Sequence, residues 1–232
     1  MKTLKNLFFG ILLFIATVIA LAYAFNYQHL FNAIALTYLK EETSATIDDG
    51  VDFPSRNIEK GVAQPWQKDS LYNKTSLPKN IVENLKSTNS ASFLVIKDGK
   101  LVHEEYFGEY KPTTQTNSFS MAKAITVLLM GLAIEDHKIQ SENQKFADFY
   151  PNFNEVEHGN ELTLRDLAAM EAGYYWDEDY RNPFLQNPRI YYGKNMAEAL
   201  LKSPQFEAKP GSRFEYQSGA TQLLGFAIRK AV

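Results

Sequence analysis

Residues 7–25 (LFFGILLFIATVIALAYAF) run for 19 positions without a charge. A helix of that length crosses the hydrocarbon core of a bilayer, and the run is longer than the usual apolar stretch of a signal peptide. Lys2 and Lys5 precede it, and the next basic residue is Lys40. The positive-inside rule then puts the N-terminus in the cytoplasm and the rest of the chain outside. Two readings follow. Ala22-Tyr23-Ala24 has the small-x-small form of a cleavage site, and cutting there secretes the body. The length of the run, with Leu30, Phe31, Ile34 and Leu36 beyond it, favours an uncleaved single-pass anchor carrying a periplasmic or extracellular body.

Lys2 and Lys5 are the only charges in residues 1–25, so the other 207 residues hold 22 of the 24 basic and all 27 acidic side chains. An acidic body argues against nucleic acid as the main partner. With 45% hydrophobic and 13% aromatic residues the chain is globular rather than disordered. It has no cysteine, which excludes disulfides, a thiol nucleophile, Cys-based zinc and lipidated cysteine.

The chain divides into a leader (1–25), a connecting arm (26–90) and a body (91–232). Residues 41–80 are polar and interrupted by Pro54, Pro65 and Pro78, which predicts an arm that wraps rather than packs. A short helix is expected at 79–86, with Ser76 near its cap. Ser92–Lys97 and Leu101–Phe107 flank Asp98-Gly99, a strong hairpin signal. Ser120–Glu135 is apolar almost all round, which predicts a buried helix. Thr163-Leu164-Arg165-Asp166 reads as a capping box on a short helix that stops at Gly173. Tyr174–Tyr180 reads as a loop, Asn195–Lys202 as a short helix, and Pro210-Gly211 as a turn. Phe214–Gln217 is extended and Gly219–Lys230 helical. A hairpin followed by helices makes a mixed α/β (α+β) body.

No P-loop, GxGxxG, HExxH or GxSxG motif is present, and the four histidines lack metal-ligand spacing. A Ser-His-Asp set stays open, since its members need not be neighbours in sequence. Ser-x-x-Lys occurs twice. Ser76-Leu77-Pro78-Lys79 lies in the polar arm and reads as a helix start. Ser120-Met121-Ala122-Lys123 opens the apolar helix. Residues three apart share a helix face, so Lys123 reaches the Ser120 hydroxyl. The positive end of the helix dipole and apolar surroundings both disfavour an ammonium there. A neutral amine beside a serine is a base that activates a nucleophile, and the Ser120 N–H at the helix start suits an oxyanion. The competing reading makes Ser120 a cap and lets Lys123 extend to solvent. The run Asp177-Glu178-Asp179 admits a glycosidase pair or a cation site, but adjacent loop positions fit a solvated loop better.

SFSMAKAIT, with the helix after it ending in GLAIEDHKI, resembles the serine hydrolases related to class C β-lactamases and penicillin-binding proteins. LTLRDLAAMEAGYYWDEDY is similar to the segment that family writes as a T-x-R-D-L-L helix ending in glycine. PGSRFEYQSGATQLLG resembles its Pro-Gly turn and Tyr-x-Asn motif. The YYWDEDY form is most similar to the branch of aminohexanoate-dimer hydrolases and esterases. The resemblance spans roughly residues 91–230. It implies a β-lactamase/transpeptidase-like fold, a helical domain with an antiparallel sheet, and no metal or cofactor. It also implies that Ser120 is the acylated nucleophile, Lys123 the base and Tyr216 part of the proton relay. A phenol near an ammonium suits proton transfer to a leaving group, although Tyr216 read alone is one of 13 tyrosines. Ser218 stands where many relatives have the Asn that contacts substrate, and the family's matching loop borders the substrate cleft, so the resemblance implies that Ser218, Tyr174, Tyr175 and Trp176 are substrate-binding residues.

Relatives carry a third motif, a Lys/His-Thr/Ser-Gly strand, well after the tyrosine. Only 16 residues follow Tyr216 here and none forms it. The later strands of the family's sheet are likewise missing from these residues, which leaves the hairpin without neighbours and exposes its edge. Two function classes follow: a membrane-tethered serine hydrolase acting on a small-molecule ester or amide through acyl-Ser120, or a truncated binding or remnant protein without turnover.

Overall fold

The computed structural model describes residues 2–40 and 45–232, so the first residues of the polar arm, 41–44, lie outside the described residues. Helix α1 spans Lys2–Ala24 and includes Thr3–Ala24, 22 residues long and apolar enough to cross a membrane. Contacts group the chain into two units: Met1–Ala45 with Ser118–Val232, and Thr46–Asn117. This grouping cuts across the leader, arm and body division, because part of the arm packs with each unit.

The smaller unit is built on the hairpin. β2 (Ser92–Lys97) and β3 (Lys100–Tyr106) pair antiparallel, Ser92 opposite Tyr106 and Lys97 opposite Lys100, with an irregularity between Val95 and Ile96. Asp98 and Gly99 join them at φ 49° and 72°, the left-handed pair that a two-residue turn requires. The hairpin is not alone. The arm supplies a short strand, β1 (Gln67–Lys68), parallel to β3, giving the order β1-β3-β2. Beyond β1 the Asn73 side chain imitates a strand: its amide donates to the Glu104 carbonyl (2.9 Å) and accepts from the Glu104 N–H (2.8 Å). The Asp69 and Asn73 N–H groups donate to the Leu101 and Val102 carbonyls (2.9 and 3.0 Å). The open edge of β3 has backbone groups that need partners, and the arm meets that need. Helix α3 (Lys79–Ser87) is as expected; Pro78, two residues after Ser76, is its cap, and no side chain caps it.

The larger unit holds the core. α8 (Ser218–Ala231) buries Ala220, Leu223, Leu224, Ala227 and Ile228, the i, i+3, i+4, i+7, i+8 stripe of a core-facing helix. α5 (Leu164–Ala168) and α4 (Met121–Glu135) pack on it. The capping box forms: the Thr163 hydroxyl accepts from Asp166 N–H, and the Asp166 carboxylate accepts from Thr163 N–H (2.9 Å). α5 stops at Ala168 rather than at Gly173, because Met170 takes φ 60° and turns the chain out of the helix. Phe146 and Phe153, both fully buried, meet edge to face at 4.6 Å.

Two helices overturn expectations. α4 is not a buried helix: only Met130 and Ala133 are buried, while Met121, Ile125, Leu128, Leu129 and Leu132 are exposed. The absence of a polar face therefore did not mean burial among the described residues. Residues 26–40 do not trail free either. α2 (His29–Leu36) packs on α6 (Gln186–Tyr192), a helix the sequence did not signal. His29 Nε2 lies 2.8 Å from the Pro183 carbonyl, Asn32 donates to the Tyr192 carbonyl (2.8 Å), and Tyr27 meets Phe184 edge to face at 5.3 Å. Burial holds the His29 imidazole below its ordinary pKa. α7 (Met196–Leu201) forms where a short helix was expected, and Asn195 caps it by accepting from the Glu198 N–H.

Candidate active site

Ser120 sits at the N-cap of α4, but its side chain makes no capping hydrogen bond. The hydroxyl is therefore available for other partners, against the reading of Ser120 as a mere cap. The residue before it, Phe119, has φ 44°. A bulky residue in the left-handed region costs on the order of 1–3 kcal/mol, and such strain gathers where a side chain must be aimed. Lys123, one turn on, donates to Ser120 Oγ at 3.1 Å, as the i, i+3 spacing predicts. Ser120 is exposed and Lys123 half-buried, so the burial expected around the lysine is not found.

Tyr216 arrives from 96 residues further along and donates to the same Ser120 Oγ at 2.8 Å. Lys123 Nζ also lies 5.1 Å from the Tyr216 ring centroid. Tyr216 is held by the chain on both sides of it. Before it, the Gly211 N–H donates to the Glu171 carbonyl and the Glu215 N–H to the Met170 carbonyl, each at 2.8 Å. After it, buried Gln217 donates through Nε2 to the Tyr174 carbonyl at 2.7 Å. The turn that ends α5 thus lays residues 170–174 beside 211–217. One serine oxygen, one amine and one phenol converge, a set able to move a proton off the serine and on to a leaving group.

The other sequence-predicted site residues are placed differently. Ser218 is buried, and its hydroxyl donates to Glu178 Oε1 at 2.5 Å. Tyr174 is buried; its hydroxyl donates to the Leu200 carbonyl (3.1 Å), and burial pushes its pKa up to about 12. Trp176 is buried too, its ring against Gly219, where a methyl group would overlap it. Tyr175 alone of the three is exposed.

Sequence reasoning missed Glu178, read there as part of a solvated acidic loop. Its carboxylate accepts four hydrogen bonds: from Ser218 N–H (2.8 Å), Ser218 Oγ–H (2.5 Å), Trp176 Nε1–H (2.6 Å) and Tyr180 O–H (2.6 Å). Burial alone would raise its pKa, but these donors outweigh burial and hold it below the ordinary 4.5. Partial burial and the bond to Glu178 push Tyr180 up to about 12. The available signal was alternation: in an extended segment Trp176, Glu178 and Tyr180 share one side. Asp177 and Asp179 instead accept from backbone N–H groups two residues on, at 2.8 Å each.

The family model for beta-lactamase matches residues 78–231. A Bacillus anthracis protein assigned as a 6-aminohexanoate-dimer hydrolase superposes with a TM-score of 0.55 at 24% identity, covering 68% of this chain and 44% of its own. A Bacteroides dorei protein assigned as a beta-lactamase gives 0.54 at 19% identity, covering 66% and 44%. A class C beta-lactamase mutant gives 0.50 at 17% identity, covering 66% and 42%. No curated protein matches the sequence. At these identities the likeness is one of fold, the β-lactamase/transpeptidase-like fold, and the chain spans less than half the length of each of these structures. The family match extends over more than half of the chain and takes in Ser120, Lys123 and Tyr216: the chain belongs to the beta-lactamase family.

Proposed function

We propose that the chain carries the nucleophilic centre of a serine hydrolase that cleaves a small-molecule ester or amide. The observation that carries this reading is Ser120 Oγ, free of capping duty and hydrogen-bonded to both Lys123 and Tyr216. In this resting arrangement Ser120 Oγ accepts from both. For attack, one partner must first be deprotonated so that the serine O–H donates to it. Lys123 as the free amine takes that proton while Ser120 Oγ bonds to the carbonyl carbon. As the tetrahedral intermediate collapses, the bond to the leaving alkoxide or amine breaks, and Tyr216 delivers its proton, replenished from Lys123. Water then attacks the acyl-Ser120 ester and releases the acid, restoring the serine O–H. Every group in this cycle belongs to the chain, apart from substrate and water.

Tyr216→Phe keeps the ring and removes the relay hydrogen. Hydrolysis of a nitrophenyl ester is expected to slow by about 10²-fold, the low end for general acid–base catalysis, with the melting temperature unchanged. An unchanged rate would remove Tyr216 from the mechanism.

We also propose that α1 is an N-in membrane anchor and that the site lies outside the cytoplasm. Lys2 and Lys5 before the span support this orientation. Protease added to intact spheroplasts should then digest the body, and full protection would reverse the topology.

A further inference from the structure

We propose that Glu178 is the positioning residue of Tyr216, clamping the start of α8 so that the tyrosine hydroxyl meets Ser120. The inference rests on the proposed role of Tyr216 as proton relay.

α8 begins two residues after Tyr216, and its N-cap, Gln217, offers no side-chain cap to the first helical N–H groups. Glu178, 40 residues upstream, supplies one: it accepts both the N–H and the hydroxyl of Ser218. A carboxylate there also meets the positive end of the helix dipole. Each Glu178 oxygen takes two donors, so the carboxylate has no rotational freedom left. Oε2 receives Ser218 N–H and Trp176 Nε1–H, while Oε1 receives Ser218 Oγ–H and Tyr180 O–H. Trp176 is itself fixed, with its ring on Gly219 in the first turn of α8. The loop and the helix start therefore form one rigid block. Tyr216 projects from that block to Ser120, and no hydrogen bond to the Tyr216 hydroxyl other than that to Ser120 is needed to aim it.

Glutamine is a poor probe of this carboxylate: its carbonyl can take the two N–H donors, and its amide nitrogen can face the Ser218 and Tyr180 hydroxyls, which turn to accept. Leucine removes every acceptor at similar size. Glu178→Leu is expected to lower the rate of acyl transfer by on the order of 10- to 10²-fold, the cost of a misplaced reacting group, with KM within about 2-fold. In a Tyr216→Phe background the same change should cost almost nothing, because a residue that acts only through Tyr216 has nothing left to position. A purely structural role would give additive losses in the double variant.

A second readout does not require turnover. With ring-labelled tyrosine, the Tyr216 resonance, assigned by its loss in Tyr216→Phe, should shift and broaden in Glu178→Leu. Ser218→Ala, which removes one of the four donors, should shift it less and serves if Glu178→Leu fails to fold. Additive kinetics, or an unmoved Tyr216 resonance in a folded variant, overturns the inference. An inactive wild type whose Tyr216 resonance nonetheless moves overturns the relay reading and leaves the clamp standing.

Discussion

Ser120→Ala should abolish acyl transfer, lowering the hydrolysis rate of an activated ester by roughly 10⁴- to 10⁶-fold, the loss seen when a nucleophile is removed from a concerted set. Lys123 and Tyr216 both converge on Ser120 Oγ, and without that oxygen no acyl-enzyme forms for their proton transfers to serve. The stability of the protein should not change. Ser120 makes no capping bond and is exposed, so the variant creates neither a cavity nor a buried unpaired group. Equal melting temperatures with unequal rates separate chemistry from folding. The binding or remnant reading predicts the opposite pattern, with no turnover to lose and ligand affinity unaffected by the substitution.

Lys123→Met should cost about 10²- to 10⁴-fold, the range for a positioned general base. Methionine keeps the side chain's length and apolar stem and deletes the amine. Arginine should not restore activity, since a guanidinium does not give up its proton in the working pH range. If Lys123→Arg were as active as the native protein, the lysine would act only as a positive charge. Steady-state rates for the three proteins, at matched melting temperatures, decide between base and charge.

Much of the site was legible because its information is local. Ser120 and Lys123 are three apart on one helix, and that spacing alone brings them together. The hairpin was legible for the same reason: Asp98-Gly99 dictates the turn and the turn dictates the register. Tyr216 was placed by resemblance, since nothing in its neighbours sets a meeting 96 residues away. What was missed is long-range. β1 has two residues and no periodicity, and it exists because the edge of β3 needs partners. α6 is short, and its partner α2 lies far away in sequence. The exposure of α4 escaped because composition tells what a helix can bury, not what is present to cover it. Glu178 was hidden inside an acidic run whose charge argued for solvent, while its four donors come from a loop and a helix start.

The central claim is a covalent one, that Ser120 Oγ becomes acylated or phosphonylated, and intact-mass spectrometry with peptide mapping tests it directly. After reaction with a serine-directed fluorophosphonate, a single adduct on the Ser120 peptide is predicted, absent from Ser120→Ala and slowed in Lys123→Met. An unmodified Ser120 peptide, or an equal adduct in Ser120→Ala, would contradict the account.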